Sequence, residues 1–213
     1  ALSFVLGYRL PKNPRTAERK PRRLFSGYAQ LVRLRVIPFA IMCAYISALP
    51  FSLSFSFYPI LFVEYGYAAD ATGTMLALRG IGSALAGLAI ARYLDYSAKL
   101  AVPLACAIAT ALSVGMIAGS REAWIIGLLM LAVGLASGIM TLFFQMLISE
   151  ISSVDNRGSA LALGGLGWGL SHFSTPLVMG YLNDHLGILP AFYVLGGFAF
   201  VWGLCLIPMH RWA

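Results

Sequence analysis

The chain has 213 residues, of which 60% are hydrophobic and only 11% charged, and its mean hydropathy is +0.82. A soluble domain carries about 25% charged residues, so this composition excludes an ordinary soluble protein, a disordered chain and a small disulfide-linked secreted domain. It indicates an integral membrane protein. The net charge of +7 does not indicate a nucleic-acid partner, because nine of the fifteen cations lie between Arg9 and Arg35, beside apolar sequence.

The first residues of the chain, 1–8, are apolar but too short to cross a bilayer, and no methionine precedes them. We interpret them as the end of a preceding transmembrane helix, so that the chain would be part of a longer protein. The basic stretch 9–35 follows. We expect it to form a cytoplasmic loop, because short loops rich in Lys and Arg stay on the cytoplasmic side of the membrane.

Six apolar runs then occupy most of the chain, each of 20 or more residues. A helix of that length crosses a hydrocarbon core of about 30 Å. Runs this long can only be helices in lipid, because a helix satisfies its own backbone hydrogen bonds. The predicted spans are 36–63, 71–94, 100–119, 123–149, 158–182 and 190–209. The fold class is therefore all-α, with a six-helix transmembrane bundle over 36–209 and a short C-terminus at 210–213.

The charges in the connections predict the orientation of the bundle. If the loop 9–35 is cytoplasmic, 13 of the 15 cations lie on the cytoplasmic side, and Arg121 is the one loop cation outside. We therefore expect an integral protein of the plasma (inner) membrane with its C-terminus in the cytoplasm.

Polar residues are divided unequally among the six spans. The third and sixth are almost wholly apolar, whereas the other four carry Ser, Thr, Gln, Arg, Trp and His side chains. The order of two polar spans and one apolar span occurs twice, which predicts a three-plus-three repeat around a polar path. Pro50 is expected to kink the first span. Glycines that recur on one face of a helix predict close packing against another helix. Such glycines are Gly127, Gly134 and Gly138 in the fourth span, and Gly165 and Gly169 in the fifth.

Three segments at helix ends resemble motifs of the major facilitator superfamily. Gly180-Tyr-Leu-Asn-Asp184-His-Leu-Gly187 resembles its Gly-x-Leu-x-Asp-Arg-x-Gly element, with His185 in place of the arginine. The segment 91–99 is similar and keeps Asp95 and Lys99, although alanines replace both glycines and Tyr96 the arginine. Arg157-Gly-Ser-Ala160 resembles the family's Arg-Gly-x-Ala entry to the eleventh helix.

This resemblance implies that the six spans are helices seven to twelve, the C-terminal half of a twelve-helix transporter. It also implies a partner, either an N-terminal six-helix half or a second copy of the chain. Four residues of the helix-end motifs would take part in gating: Asp95, Lys99, Arg157 and Asp184.

Four residues inside the polar spans are candidates for a central substrate site. Arg79 lies about eight residues into the second span, where a charge costs at least about 2.5 kcal/mol and normally faces a cavity or a partner. No carboxylate of this chain shares its predicted depth, so its partner would be a substrate anion, water or an acid in the other half; snorkelling outward is the alternative. His172 is predicted at the same depth and Trp168 on its face, although either residue could simply pack. Tyr45 of the first span completes the set.

We therefore predict secondary active transport of a small organic anion by alternating access. An arginine in the eighth helix also resembles the carboxylate carriers of the superfamily. The alternatives are a non-transporting scaffold or regulatory module and an exporter of an uncharged or cationic molecule. An enzyme is not expected, since no catalytic or metal-binding constellation converges at one depth. No cofactor, metal or nucleic acid is predicted; the expected partners are the small-molecule substrate, the lipid bilayer and the other half.

Overall fold

The computed structural model of the chain describes Leu34 and residues 36–90, 100–153 and 157–209. Residues 1–8, nearly all of the basic loop 9–35, the C-terminus 210–213, and Asp95 and Lys99 lie outside the described residues. Within the described ranges every regular element is helical, which confirms the predicted all-α class. The elements are α1 Val36–Ser54, α2 Phe57–Glu64, α3 Ala69–Leu85 with a π-helical turn Ala86–Ile90, α4 Ala101–Gly119, α5 Ala123–Ile151, α6 Arg157–Leu186 and α7 Ile188–Met209.

The first predicted span, 36–63, is broken into α1 and α2 by a turn at Phe55 and Ser56. Pro50 lies inside α1, which continues to Ser54, so the interruption comes after the position where the sequence predicted a kink. Pro59 explains the position of the turn. In a continuous helix its ring would clash with the carbonyl of Phe55, and its nitrogen has no proton to donate to that carbonyl.

The helices pack in three main pairs: α1 with α6, α3 with α5, and α4 with α7. These are the first and fifth, second and fourth, and third and sixth of the predicted spans. If spans one, two and three are exchanged with spans four, five and six, the pair of spans one and five becomes the pair of spans four and two. The pair of spans three and six stays the same. This is the contact pattern expected of a three-plus-three repeat with an internal pseudo-two-fold axis.

Glycines make the closest approach possible in each pair. A Cβ on Gly134 of α5 would overlap the backbone of Arg79 in α3, and one on Gly167 of α6 would overlap the carbonyl of Ile41 in α1. A Cβ on Gly203 of α7 would lie 2.8 Å from the Cβ of Ala107 in α4. Small residues let helix backbones approach closely in lipid.

Not every predicted glycine contact exists. Gly127, Gly134 and Gly138 do contact α3, as the sequence predicted. Gly165 and Gly169 have open space where a Cβ would lie, so the prediction that they pack against another helix is wrong within the described residues. The exposed face of α6 that they occupy is discussed below.

Aromatic side chains close one end of the bundle. The hydroxyl of Tyr65 donates to the carbonyl of Ala118 at 2.6 Å, and that of Tyr67 donates to the carbonyl of Arg121. Tyr58 stacks against Phe192 at the start of α7, with centroids 5.6 Å apart. The three connections that were predicted to be extracellular therefore lie at the same end, which we call the predicted outer end.

Four of the described helices are long and apolar enough to cross a membrane: α1, α4, α5 and α7. The other two predicted spans, which contain α3 and α6, are less apolar because they carry charged or polar side chains and many glycines. α3 carries Arg79 and has 17 residues before its π-helical turn, and α6 carries His172, Asp184 and His185 among many glycines. The count of six spans stays a prediction, and labelling of engineered cysteines would test it.

Single cysteines placed within 11–30 are expected to react with a membrane-impermeant maleimide only from the cytoplasmic side, because the cations concentrate there. Cysteines at 64–70 and 183–189 are expected to react only from outside. The background would be the full-length protein with Cys43, Cys106 and Cys205 replaced by alanine. Labelling of 64–70 from the cytoplasm would contradict the predicted orientation and span count.

Candidate functional site

The four polar spans enclose a cavity of about 240 Å³. α1, α3, α5 and α6 each contribute at least one polar or aromatic side chain to its wall. The lining residues are Ser47, Phe51, Arg79, Gly80, Ser83, Ser137, Thr141 and Trp168. All four polar spans therefore line this partly open cavity, and Arg79 and Trp168 of the predicted site are among its wall residues.

Arg79 reaches the cavity because α3 lies directly against α5. Gly134 leaves room for the backbone of Arg79 at that crossing. The guanidinium carbon of Arg79 then lies over the ring of Phe51, 5.0 Å from its centroid. Its Nε is buried and has no hydrogen-bond partner, and no ion pair with a described residue is found.

Trp168 and His172 are both held by serines of α1. The indole Nε1 of Trp168 donates to Ser47 Oγ at 2.9 Å, and His172 Nδ1 lies 2.6 Å from Ser52 Oγ. These contacts follow from the close packing of α1 and α6. The predicted equal depth of Arg79 and His172 agrees with the geometry, since the guanidinium carbon of Arg79 and the ring of His172 lie 5.0 and 5.4 Å from the centroid of the same Phe51 ring.

Tyr45 does not share this cavity. It is almost completely buried on the side of α1 that faces α7, where its ring stacks on Trp202 with centroids 4.6 Å apart. Its hydroxyl hydrogen-bonds with Ser174 Oγ at 2.9 Å. The structure therefore brings together three of the four predicted substrate-binding residues and leaves Tyr45 in an aromatic cluster behind them. A substrate-binding role for Tyr45 stays a prediction that this geometry does not support.

Of the predicted gating residues the structure describes Arg157 and Asp184, which lie at opposite ends of α6. Arg157 starts α6 and reaches back to α5, where its Nη2 donates to the carbonyl of Ser149 at 3.4 Å. Asp184 is exposed near the end of α6, at the predicted outer end, and forms no ion pair with a described residue. Gly187, which has φ +86°, ends that helix and allows the chain to turn into α7.

Three of the four hydroxyl groups that line the cavity donate their protons to backbone carbonyls of their own helix. Ser47 donates to Ala44 at 2.8 Å and Ser137 donates to Gly134 at 3.0 Å. Thr141 donates in the same way to Ser137 at 2.8 Å. Each of these hydroxyls is left with oxygen lone pairs, so in this arrangement it can accept a hydrogen bond but cannot donate one to a ligand. The donors that the described cavity wall can offer a ligand are therefore the guanidinium of Arg79 and the hydroxyl of Ser83, and of these two only Arg79 is charged.

Sequence reasoning missed Phe51, which lines the cavity and contacts all three residues that the structure brings together. The sequence could have predicted that Phe51 lies on the same face of the helix as Ser47, because the two residues are one helical turn apart. Its contact with Arg79 was not readable, since that depends on how α3 crosses α5.

A larger groove of about 660 Å³ lies between α4 and α7, the two apolar spans. Its walls are glycines and large apolar side chains, including Leu112, Met116 and Phe200. Its polar lining residues are Ser120 and Tyr193, and none of its described lining residues is charged, so it offers no counter-charge to an ionic solute. In the described part of the chain no cluster of three or more metal-ligating side chains occurs, and the three cysteines are unpaired.

Comparison with known proteins identifies a family. The family model described as Major Facilitator Superfamily matches residues 2–211, which is nearly the whole chain. No curated protein matches the chain. The match includes every helix described above and therefore applies to the bundle as a unit.

Proposed function

Because the chain belongs to the Major Facilitator Superfamily, whose members move solutes across membranes, we propose that it carries a small organic anion by alternating access. The observation that carries the proposal is Arg79. It is a cation at a cavity between four helices, with a buried Nε that no protein atom accepts. An ionic group in a membrane interior needs compensation, and a carboxylate bound in the cavity would supply it.

The chemistry of the cavity wall supports an anion over a cation. A cationic solute would be repelled by the guanidinium, and no carboxylate among the described residues is paired with Arg79 to cancel its charge. The lone pairs of the Ser137 and Thr141 hydroxyls would repel a second carboxylate but could accept hydrogen bonds from water or a solute hydroxyl. A small solute with one carboxylate therefore fits best.

Trp168 and His172 would complete the site. Trp168 supplies an apolar wall, and its N–H is already engaged by Ser47. The His172–Ser52 pair can exchange roles, since either atom can donate depending on the tautomer of the ring. We propose that His172 contributes to binding or to proton coupling at this level of the membrane.

The other half of the transporter would cover the open side of the cavity. The face of α6 next to Trp168 carries Gly165 and Gly169, which have open space where a Cβ would lie. The adjoining face, turned away from the cavity, exposes an apolar stripe formed by Leu166, Leu170, Phe173, Leu177 and Tyr181. These residues follow helical spacing along one face. We propose that an N-terminal six-helix half, or a second copy, packs there and that the two bundles rock about the central site. In that movement Asp95, Lys99, Arg157 and Asp184 would stabilise the closed arrangements at the helix ends.

Uptake into proteoliposomes containing the full-length protein would test this function. We expect uptake of at least one of four labelled carboxylates (acetate, lactate, succinate and benzoate), with choline and glucose as the cationic and uncharged controls. An inward proton gradient would be imposed and then collapsed to detect coupling. Uptake of choline or glucose without any carboxylate would favour the alternative of an exporter of cationic or uncharged molecules. Absence of all flux would favour a scaffold.

A further inference from the structure

Phe51 occupies the centre of the candidate site. The guanidinium carbon of Arg79 lies 5.0 Å from its ring centroid, and the rings of His172 and Trp168 lie 5.4 and 5.6 Å from it. Phe51 therefore connects α1 to the middle helix of each triplet, α3 and α6. This position is independent of the hydrogen bonds that hold Trp168 and His172.

Its neighbours fix the ring of Phe51 in place. His172 meets it edge-on with an interplanar angle of 62°, and Phe55 does so at 68° with centroids 4.8 Å apart. Trp168 is tilted by 43° against it. A ring restrained in this way keeps its orientation as the guanidinium of Arg79 lies above it.

The contact of Arg79 with Phe51 differs in kind from an ion pair. An aromatic face attracts a cation through its quadrupole, and the attraction grows when the pair is removed from water. A carboxylate partner would also stabilise the guanidinium, but it would cancel the charge. A phenyl ring compensates part of the desolvation and leaves the positive charge available to a ligand.

We propose that Phe51 is a positioning residue that holds the guanidinium of Arg79 in the cavity when no anion is bound. An arriving carboxylate then meets a donor that is already oriented, so less conformational freedom is lost on binding. We call this restraint of the Arg79 guanidinium by Phe51 the hold on Arg79, and it does not depend on which solute is transported. Its effect on substrate affinity rests on the anion transport proposed above.

Chemical modification of arginine measures the hold directly. Purified full-length protein would be treated with phenylglyoxal, and the rate at Arg79 would be followed by peptide mass spectrometry, with Arg121 as the internal reference. Phe51→Leu removes the aromatic face and keeps apolar bulk. The rate at Arg79 relative to Arg121 is expected to rise about threefold to thirtyfold, the Boltzmann factor of a cation–π contact.

Two variants serve as controls. Phe51→Tyr keeps an aromatic face and is expected to leave the rate near that of the parent. Phe200→Leu makes the same substitution in the apolar groove between α4 and α7, away from Phe51 and Arg79, and is expected to change nothing. If Phe51→Leu does not fold, Phe51→Met takes its place. An unchanged relative rate at Arg79 in the folded variant would overturn the proposal.

A transport measurement separates this proposal from the function on which its consequence rests. Phe51→Leu is expected to raise the KM for carboxylate uptake, measured with the same four carboxylates, by about threefold to thirtyfold. In an Arg79→Lys background the same substitution is expected to have a smaller effect. Faster modification of Arg79 without carboxylate uptake by the parent protein would support the hold and contradict the anion function. An unchanged rate in a protein that does transport carboxylates would contradict the hold alone.

Discussion

Replacing Arg79 by alanine is expected to abolish uptake of anionic solutes by the full-length protein. Truncating one member of a buried, hydrogen-bonded charge pair costs about 2–5 kcal/mol, which corresponds to roughly 30-fold to several-thousand-fold weaker binding. The described cavity wall has no second cation to replace Arg79, and three of its four hydroxyls, those of Ser47, Ser137 and Thr141, already donate to backbone carbonyls. Uptake of the four labelled carboxylates into proteoliposomes would measure the loss.

Arg79→Lys separates charge from geometry at the same position. Lysine keeps the positive charge but cannot form the paired, planar hydrogen bonds that a guanidinium makes with a carboxylate. We expect affinity to fall severely in this variant while the protein still folds. Arg121→Ala is the matched control, since Arg121 lies in a loop at the predicted outer end and its removal is expected to leave uptake unchanged.

A structural role for Arg79 would give the opposite result. If its true partner is an acid in the other half, Arg79→Ala would lower thermal stability, and neutralising that acid as well would restore it. Normal carboxylate affinity together with lost stability would contradict a substrate-binding role for this residue. Stability and uptake must therefore be measured on the same preparations.

Much of the architecture could be predicted from the sequence because lipid imposes simple rules. Long apolar runs in a membrane can only be helices, and the unequal distribution of polar residues among them identified the four spans that enclose the cavity. Arg79 and His172 were predicted at one depth by counting residues along two helices. The geometry agrees, since both contact Phe51.

The rest of the site depended on rotation about helix axes and on crossing contacts, which residue counting does not determine. Tyr45 and Ser47 are two residues apart, so they point about 200° apart around α1. Ser47 faces the cavity, and Tyr45 packs on Trp202. The glycines of α6 could not be assigned from the sequence for the same reason. Their spacing shows that they share one face of the helix, but not whether that face contacts another helix. Gly165 and Gly169 lie on an open face, and the contact with α1 is made by Gly167.

Gly167 provides the second large prediction, which concerns stability. A Cβ at this position would overlap the carbonyl of Ile41 and lie 2.9 Å from both the Cβ of Ala44 and the backbone nitrogen of Tyr45. Backbone atoms of a packed helix cannot give way as the tip of a side chain can, so α1 and α6 must separate. Overpacking of this kind costs about 1–3 kcal/mol, occasionally more. It outweighs the gain of up to about 1 kcal/mol from replacing a helical glycine by alanine.

Gly165→Ala is the matched control for Gly167→Ala, because it makes the same change in the same helix where no atom lies within 4 Å. It is expected to leave the unfolding temperature unchanged or raised, whereas Gly167→Ala is expected to lower it. The second variant should also weaken carboxylate uptake, since separation of α1 from α6 pulls Ser47 away from Trp168 and Ser52 away from His172. Thermal unfolding in detergent and proteoliposome uptake would measure both effects. Equal unfolding temperatures for the two variants would show that the α1–α6 crossing yields to a methyl group, and the close contact at Gly167 would then not be what positions Trp168.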